Sequence, residues 1–187
     1  MPRPAALLAV LLPLLAAAPA GAGVRLVAER DGRRLEAVFA GPAAREVTIR
    51  YEGRTFVVPV GDGESGSTAD EDGWQVESWH RGPRVAGWTS RYHVVRRDGR
   101  ICAEVLASRW LGRALAPVLV ALARLGARRP DLAVIALDGC GRLPLAVAGR
   151  AGFPLMVSDG RRARFVVREL RFGWPVGDGA TGVREER

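Results

Sequence analysis

The sequence predicts an α+β fold: a mainly antiparallel sheet built from hairpins, with one long amphipathic helix packed on it and a shorter second helix. Two patterns lead to this class. Turn pairs of the form Asp-Gly or Glu-Gly separate alternating apolar runs at four places, and leucine and valine recur at helical spacing between residues 111 and 125. Because a sheet and a helix that each carry one apolar face bury those faces together, we expect the helix to lie across the sheet.

Four β-hairpins are predicted, with turns at Asp31-Gly32, Glu52-Gly53, Asp98-Gly99 and Asp159-Gly160. Apolar residues alternate on both sides of each turn; in the first hairpin they stand at positions 24, 26 and 28 and again at 35, 37 and 39. A type I′ turn needs positive φ at both central residues, which these turn pairs provide. Together the hairpins predict an antiparallel sheet, or two packed sheets, of about eight strands.

The long helix is predicted from an apolar stripe whose members are spaced four, three, four and three residues apart: Leu111, Leu115, Val118, Leu122 and Leu125. This spacing places them on one helix face, which is more typical of packing against a sheet than of binding a partner. Ser108 is a candidate N-cap, and Gly126 with Pro130 ends the helix. Pro117 lies inside it, so either the helix kinks there or its regular part begins near Pro117.

Two further elements are predicted after the helix. The continuous apolar run 132–137 fits a strand that is buried on both faces. Residues 144–150 fit a short second helix, closed by Gly152 and Pro154. Between them, a glycine-rich turn runs from Asp138 to Arg142 around Cys140.

Residues 1–22 are predicted to be a cleavable signal peptide. Arg3 supplies a positive start, residues 5–18 are uncharged and rich in leucine and alanine, and two small-residue cleavage sites end at Ala20 and Ala22. The apolar stretch is shorter than the about 20 residues that a spanning helix needs, and Pro13 interrupts it; an uncleaved anchor is the alternative. We therefore expect a periplasmic or secreted protein without a transmembrane segment after cleavage. One domain over residues 23–176 and a disordered tail over 177–187 complete the predicted organisation.

The two cysteines, Cys102 and Cys140, are predicted to form one intramolecular disulfide. Paired cysteines persist in oxidising compartments, and a count of two permits a single pairing within the chain. Two alternatives involve the turn around Cys140. A helix start after this turn would activate a free Cys140 thiol beside Arg142, or the glycines would let the backbone approach a ligand near Asp138 and Arg142.

All 28 basic side chains are arginine, against 20 acidic ones, which leaves a formal net charge of +8. The excess is spread along the chain, so it is interpreted mainly as a solvated surface, with an anionic partner as the alternative. No nucleic-acid partner is expected. The stretch 61–73 contains five acidic residues and no basic one. It is interpreted as a solvated loop because its spacing does not fit an EF-hand calcium site.

A cluster of aromatic and arginine residues lies between the second and third hairpins. Trp74, Trp79 and Arg81 belong to it, together with His80, Arg84, Trp88 and Arg91. Interleaved tryptophan and arginine can form a stacking or sugar-binding surface; the alternative is that these residues fill the core and the sheet edges. Trp74 and Trp79 have opposite strand parity, so at least one of them is expected to face outward. The candidate ligand-binding residues are thus Trp74, Trp79, Arg81, Asp138 and Arg142.

The sequence contains no complete catalytic motif. Its only histidines, His80 and His93, lie in no zinc or haem pattern, and the stretch 63–67 lacks the second glycine of a nucleophile elbow. No cofactor and no metal site are predicted. The leading hypothesis is an exported, non-enzymatic binding or accessory protein whose partner is an anionic envelope component or another protein. The alternative is an envelope hydrolase or a thiol-dependent enzyme with a site near residues 138–142.

Overall fold

A computed structural model of the chain describes residues 22–61, 73–126 and 128–175. Of these, 61% lie in strands and 18% in helices. The predicted signal peptide except Ala22, the predicted tail 177–187 and most of the acidic stretch 61–73 lie outside the described residues. None of the helices in the described part combines the length and the apolar character of a membrane span.

Eleven strands and four helices are present in the described part. The strands are β1 (Ala22–Arg30), β2 (Arg33–Phe39), β3 (Glu46–Tyr51), β4 (Arg54–Pro59), β5 (Trp74–Val85), β6 (Trp88–Arg97), β7 (Arg100–Ser108), β8 (Val134–Leu137), β9 (Gly141–Pro144), β10 (Phe153–Ser158) and β11 (Ala163–Pro175). The helices are α1 (Arg109–Ala114), α2 (Ala116–Gly126), α3 (Pro130–Ala133) and α4 (Leu145–Gly149). Nine strands form one antiparallel sheet in the order β4-β3-β2-β1-β11-β10-β7-β6-β5, and β8 pairs with β9 in a second, small sheet.

Local turn chemistry produces hairpins at the four predicted places. In three of them both turn residues have positive φ, for example 46° at Asp31 and 79° at Gly32. The fourth turn is longer: Ser158 at the end of β10 pairs with Ala163 at the start of β11, so residues 159–162 form the turn. A fifth hairpin joins β5 to β6 at Ala86 and Gly87, with φ values of 50° and 82°. It was not predicted, because its Ala-Gly pair lacks the acidic residue that precedes glycine in all four predicted turns.

The predicted long helix is wrong, and with it the α+β class. Residues 111–125 are divided between α1 and α2 at Leu115, and among the described helices only α2 has seven or more residues. The cause is Pro117, which has no N–H to donate and whose ring blocks the carbonyl four residues earlier. Proline is tolerated in the first turn of a helix, and Pro117 is the second residue of α2. The described fold is a mostly antiparallel sheet with short helices.

The apolar stripe nevertheless lies in the core, where all five of its members are buried. The Leu115 N–H donates to the Leu111 carbonyl at 2.9 Å, and the Val118 N–H donates to the Leu115 carbonyl at 3.0 Å. These two hydrogen bonds connect the last turn of α1 to the first turn of α2. Both helices can therefore bury their part of the stripe, although neither is long.

The segment 132–137 also differs from its prediction as a strand buried on both faces. Its first residues belong to α3, and β8 alternates, with Ile135 buried and Ala136 exposed. The buried Arg30 of β1 holds this segment: its guanidinium donates to the Leu132 carbonyl at 2.7 Å and also to the Val134 carbonyl. The predicted short helix at 144–150 is present as α4.

The two ends of the main sheet differ in their residues. The four predicted turns lie at one end. At the other, which we call the lower end, β1 begins and β11 ends, since Ala22 pairs with Pro175. Ser108 at the end of β7 pairs with Phe153 at the start of β10, and α1 follows Ser108 directly. The first turn of α1 therefore belongs to the lower end.

Candidate ligand-binding site

The glycine-rich turn around Cys140 is fastened to the main sheet by a disulfide. Cys102 of β7 and Cys140 are bonded, with their Cα atoms 5.7 Å apart, which is the pairing that the sequence predicts. A disulfide sulfur is not a free thiol, so the thiol-dependent alternative has no reactive group in this oxidised state.

Asp138, one of the candidate ligand-binding residues, is part of an ion-pair network. The buried Arg164 guanidinium lies 3.0 Å from the Asp138 carboxylate, 2.6 Å from that of Asp159 and 3.4 Å from that of Asp31. Burial alone would raise the pKa of Asp159. The hydrogen bonds that its carboxylate accepts from the backbone N–H groups of Arg162 and Arg161, together with the hydrogen bond and charge of Arg164, lower this pKa to about 2. The network joins three turns, which is a structural role for Asp138.

Arg142 lies on β9 at the wall of a separate concavity of about 360 Å³. The charged residues of this wall are of both signs: Arg30, Asp31, Arg33, Asp131 and Arg142. Because positive and negative side chains lie close together there, this concavity does not select for a ligand of either charge. Within the described ranges, no group of three or more His, Cys, Asp or Glu side chains is placed to hold a metal ion.

The two histidines lie on β5 and β6, where they bond to their own neighbours rather than to the Asp138 turn. His93 Nδ1 lies 2.9 Å from Ser78 Oγ, and His80 Nδ1 lies 2.9 Å from the Arg81 carbonyl. His93 is buried, and this burial, with a smaller contribution from the charge of Arg91, lowers its pKa. No hydrogen bond in the described part joins a histidine to Asp138.

The two candidate tryptophans have different environments, as their opposite strand parity predicts. Trp74 is buried, with the Arg97 guanidinium 5.0 Å from its ring centre, so it fills the core. Trp79 is 54% exposed, and its ring centre lies 6.0 Å from that of Tyr92. The structure therefore separates Trp74 from the exposed part of the cluster, to which Arg81 belongs.

An arginine-lined depression of about 560 Å³ lies at the lower end, and we call it the arginine concavity. Its charged residues are Arg81, Arg84, Arg91 and Arg109, all exposed, and its other lining residues are Gly82, Thr89, Ser90, Ala107, Ser108 and Trp110. Unlike the concavity at Arg142, it has no carboxylate among the described residues that line it. Among the described residues, no carboxylate oxygen lies within 4.0 Å of these four guanidinium groups.

The shape of this concavity follows from an irregular edge strand. β5 slips its register against β6 twice, between Ser78 and Arg81 and between Gly82 and Val85. Such bulges re-aim side chains at a sheet edge. The Ser90 hydroxyl donates to the Pro83 carbonyl at 2.6 Å, which holds the bulged strand in place.

The other wall comes from the start of α1, which is held close to β10 by a glycine. Gly152 has φ +119°, and a Cβ atom there would lie 2.7 Å from the Ser108 carbonyl oxygen. Only glycine fits this approach. It places Arg109 and Trp110, the first two residues of α1, at the edge of the concavity.

Three aromatic rings continue the surface beyond Trp110, and we call them the aromatic triad. Trp88 and Trp110 stack with ring centres 5.3 Å apart, and Phe172 lies edge-on to them at 5.6 and 6.2 Å. Trp110 is 67% exposed and Phe172 is 42% exposed. Because Trp110 also lines the arginine concavity, the charged and the apolar surfaces are continuous.

Three residues of this surface were not predicted from the sequence: Arg109, Trp110 and Phe172. For Trp110 a signal existed: it stands next to Leu111 but outside the apolar stripe, so a helical wheel places this large ring away from the core. For Phe172 no local pattern could reveal that it meets rings from β6 and α1.

Comparison with known proteins gives weak likenesses. No protein-family model matches the chain, and no curated protein matches it. Two solved structures resemble it: a crystal structure of MucB, with a TM-score of 0.34 and 14% identity over 90% of this chain, and a MucA/MucB complex of Pseudomonas aeruginosa, with a TM-score of 0.32 and 13% identity over 87%. The chain spans 60% and 56% of the lengths of those two chains. Scores this low do not establish a shared fold.

Proposed function

We propose that this chain is an exported, non-enzymatic binding protein that works in the periplasm or outside the cell and binds an anionic group in the arginine concavity. The export part rests on the signal-peptide pattern of residues 1–22. The Cys102–Cys140 disulfide supports it, since such bonds persist in oxidising compartments.

The observation that carries the proposal is that four exposed arginines line one concavity and that no carboxylate of the described residues lies within 4.0 Å of their guanidinium groups. Some arginines elsewhere in the described part have acidic partners: Arg33 pairs with Glu52, and Arg168 pairs with Glu29. Like charges placed together repel one another, and an anion bound between them relieves that repulsion. The planar fork of arginine also matches a carboxylate or a phosphate with two parallel hydrogen bonds.

The enzyme alternative has less support. Cys140 is bonded to Cys102, Asp138 is paired with Arg164, and His93 is buried against Ser78. Ser78 and His93 do lie within hydrogen-bond distance, but His93 Nε2 has no hydrogen-bond partner in the described part, so no third group orients this histidine as a catalytic base. The non-enzymatic role is therefore the better proposal.

Retention on a heparin matrix tests the anion-binding proposal. The variant R84Q/R109Q removes two of the four exposed positive charges of the concavity without touching the core. We expect it to elute at clearly lower salt than the wild type, with affinity reduced at least about tenfold, because a hydrogen bond to a charged group contributes about 1.5–3 kcal/mol.

The matched control is R33Q/R168Q, which loses the same total charge from arginines that have acidic partners. If both variants elute together, retention reflects net charge alone and the site assignment is wrong. Retention of the wild type that does not respond to salt would also contradict an electrostatic site.

A further inference from the structure

We propose that the lower end of the molecule docks on an anionic phospholipid bilayer, with the aromatic triad at the lipid interface and the arginine concavity against the headgroup phosphates. This inference rests on the proposed function, because it names the source of the anionic group that the concavity binds. It also gives the triad a role that anion binding alone does not require.

The aromatic triad is exposed to solvent. Trp110 and Phe172 present 67% and 42% of their surfaces to solvent, although large apolar rings are more stable when removed from water. The stack of Trp110 on Trp88 keeps the rings in one cluster on three different elements. Tryptophan prefers the membrane–water interface, where its ring meets lipid and its N–H meets the polar layer.

The arginine concavity and the aromatic triad border each other at Trp110. Trp110 belongs to the triad and lines the concavity, and Arg109 precedes it in α1. In a bilayer rich in anionic lipid, a layer of phosphates lies directly next to an apolar layer. The arginine concavity and the aromatic triad are adjacent in the same way, so each can contact one of these layers. In such a leaflet each basic residue near the surface raises the membrane affinity by about fivefold.

A bilayer suits this surface better than an acidic protein does. The charged residues that line the concavity are all arginine, which matches a headgroup layer of one charge sign more closely than the mixed charges of protein surfaces.

The experiment uses the mature protein with two kinds of vesicle, one of phosphatidylcholine and one containing phosphatidylglycerol. We expect sedimentation with the anionic vesicles and a blue shift of tryptophan emission, both reduced by salt, and little binding to the neutral ones. W110A should lower the affinity for anionic vesicles at least about tenfold, because it removes the most exposed ring of the triad. Its melting temperature should stay near that of the wild type, since Trp110 lies outside the core.

The matched control is W79A, which removes a similarly exposed tryptophan outside the triad and should bind vesicles like the wild type. Heparin retention separates the two proposals. F172A removes a triad ring that does not line the concavity, so it should weaken vesicle binding and keep heparin retention, whereas R84Q/R109Q should lose both activities. A wild type that is retained on heparin but ignores anionic vesicles would overturn membrane docking and leave the proposed function standing. Binding to soluble polyglutamate that depends on Trp110, without vesicle binding, would assign the surface to an acidic protein and also overturn it.

Discussion

At the residue scale, the neighbours of each arginine decide what it does. Arg30 is buried and donates to the backbone carbonyls of the α3–β8 segment, and this burial lowers its pKa. Arg164 is buried among three carboxylates and joins three turns. Arg84 and Arg109 are exposed beside other arginines. The first two stabilise the fold, whereas the last two are available to a ligand.

His93 makes stability depend on pH. Its ring is buried with Nε2 unbonded in the described part, and burial lowers its pKa below that of an unfolded histidine, which is about 6.5. As pH falls below this value, the unfolded chain takes up a proton that the folded chain resists, so the free energy of unfolding decreases by up to about 1.4 kcal/mol per pH unit. The loss levels off below the lowered folded pKa. We therefore expect urea unfolding to show lower stability at pH 5.5 than at pH 7.5.

Two glutamine variants assign this effect. H93Q cannot be protonated and should lose most of the difference between the two pH values, although it is less stable at both. H80Q replaces the exposed histidine and should keep the difference. An unchanged pH difference in H93Q would show that another group causes it.

At the scale of elements, one proline changes the helices but not the buried face. The apolar stripe needs side chains at helical spacing, and both α1 and α2 supply them although Leu115 interrupts the helical geometry. The position of the stripe is therefore more robust than the length of the helix. This is expected when burial of an apolar face, rather than helix propensity, stabilises an element.

Truncation of Leu122 tests this view. Leu122 lies on the buried face of α2, and L122A should decrease the free energy of unfolding by about 2–5 kcal/mol, because it removes buried methyl groups and leaves a cavity. L119A, the same change at a partly exposed position of this helix, should cost clearly less. Chemical denaturation of both variants measures the difference, and equal losses would mean that the stripe does not determine the packing of α2.

At the scale of the whole molecule, a single covalent link joins the small sheet to the main one. Cys102 lies on β7 and Cys140 beside β9, 38 residues apart in sequence. Closing a loop of this length restricts the unfolded chain, which stabilises the fold by about 4 kcal/mol in the loop-entropy model. The segment that contains α1, α2, α3 and β8 lies within this loop.

The double variant C102A/C140A measures this contribution. We expect its free energy of unfolding to fall by about 2–4 kcal/mol, with a lower melting temperature on a single-chain species. Reduced wild-type protein should behave like the variant, and titration of unfolded, unreduced wild type should detect no free thiol. Two free thiols in that titration would exclude the disulfide and restore Cys140 as a candidate reactive residue.

The sequence by itself determined the features that depend on neighbours along the chain. Asp31-Gly32 and its counterparts specify turns because the required φ angles belong to two adjacent residues. The stripe from Leu111 to Leu125 is buried because helical spacing brings its members to one face within a few residues. In an oxidising compartment, the pairing of Cys102 with Cys140 follows from their number, because two cysteines allow a single pairing within the chain.

Only the tertiary structure decided how distant segments meet. The sequence allowed either a helix kinked at Pro117 or one that begins near it, and the packing of the core decided between them. The position of β5 at the sheet edge leaves Trp74 buried and Trp79 exposed. The candidate site is the clearest case, since Trp88, Trp110 and Phe172 come from β6, α1 and β11. Contacts between residues so far apart in sequence arise from the order of strands in the sheet and from long-range packing. No local turn signal or hydrophobic period encodes them.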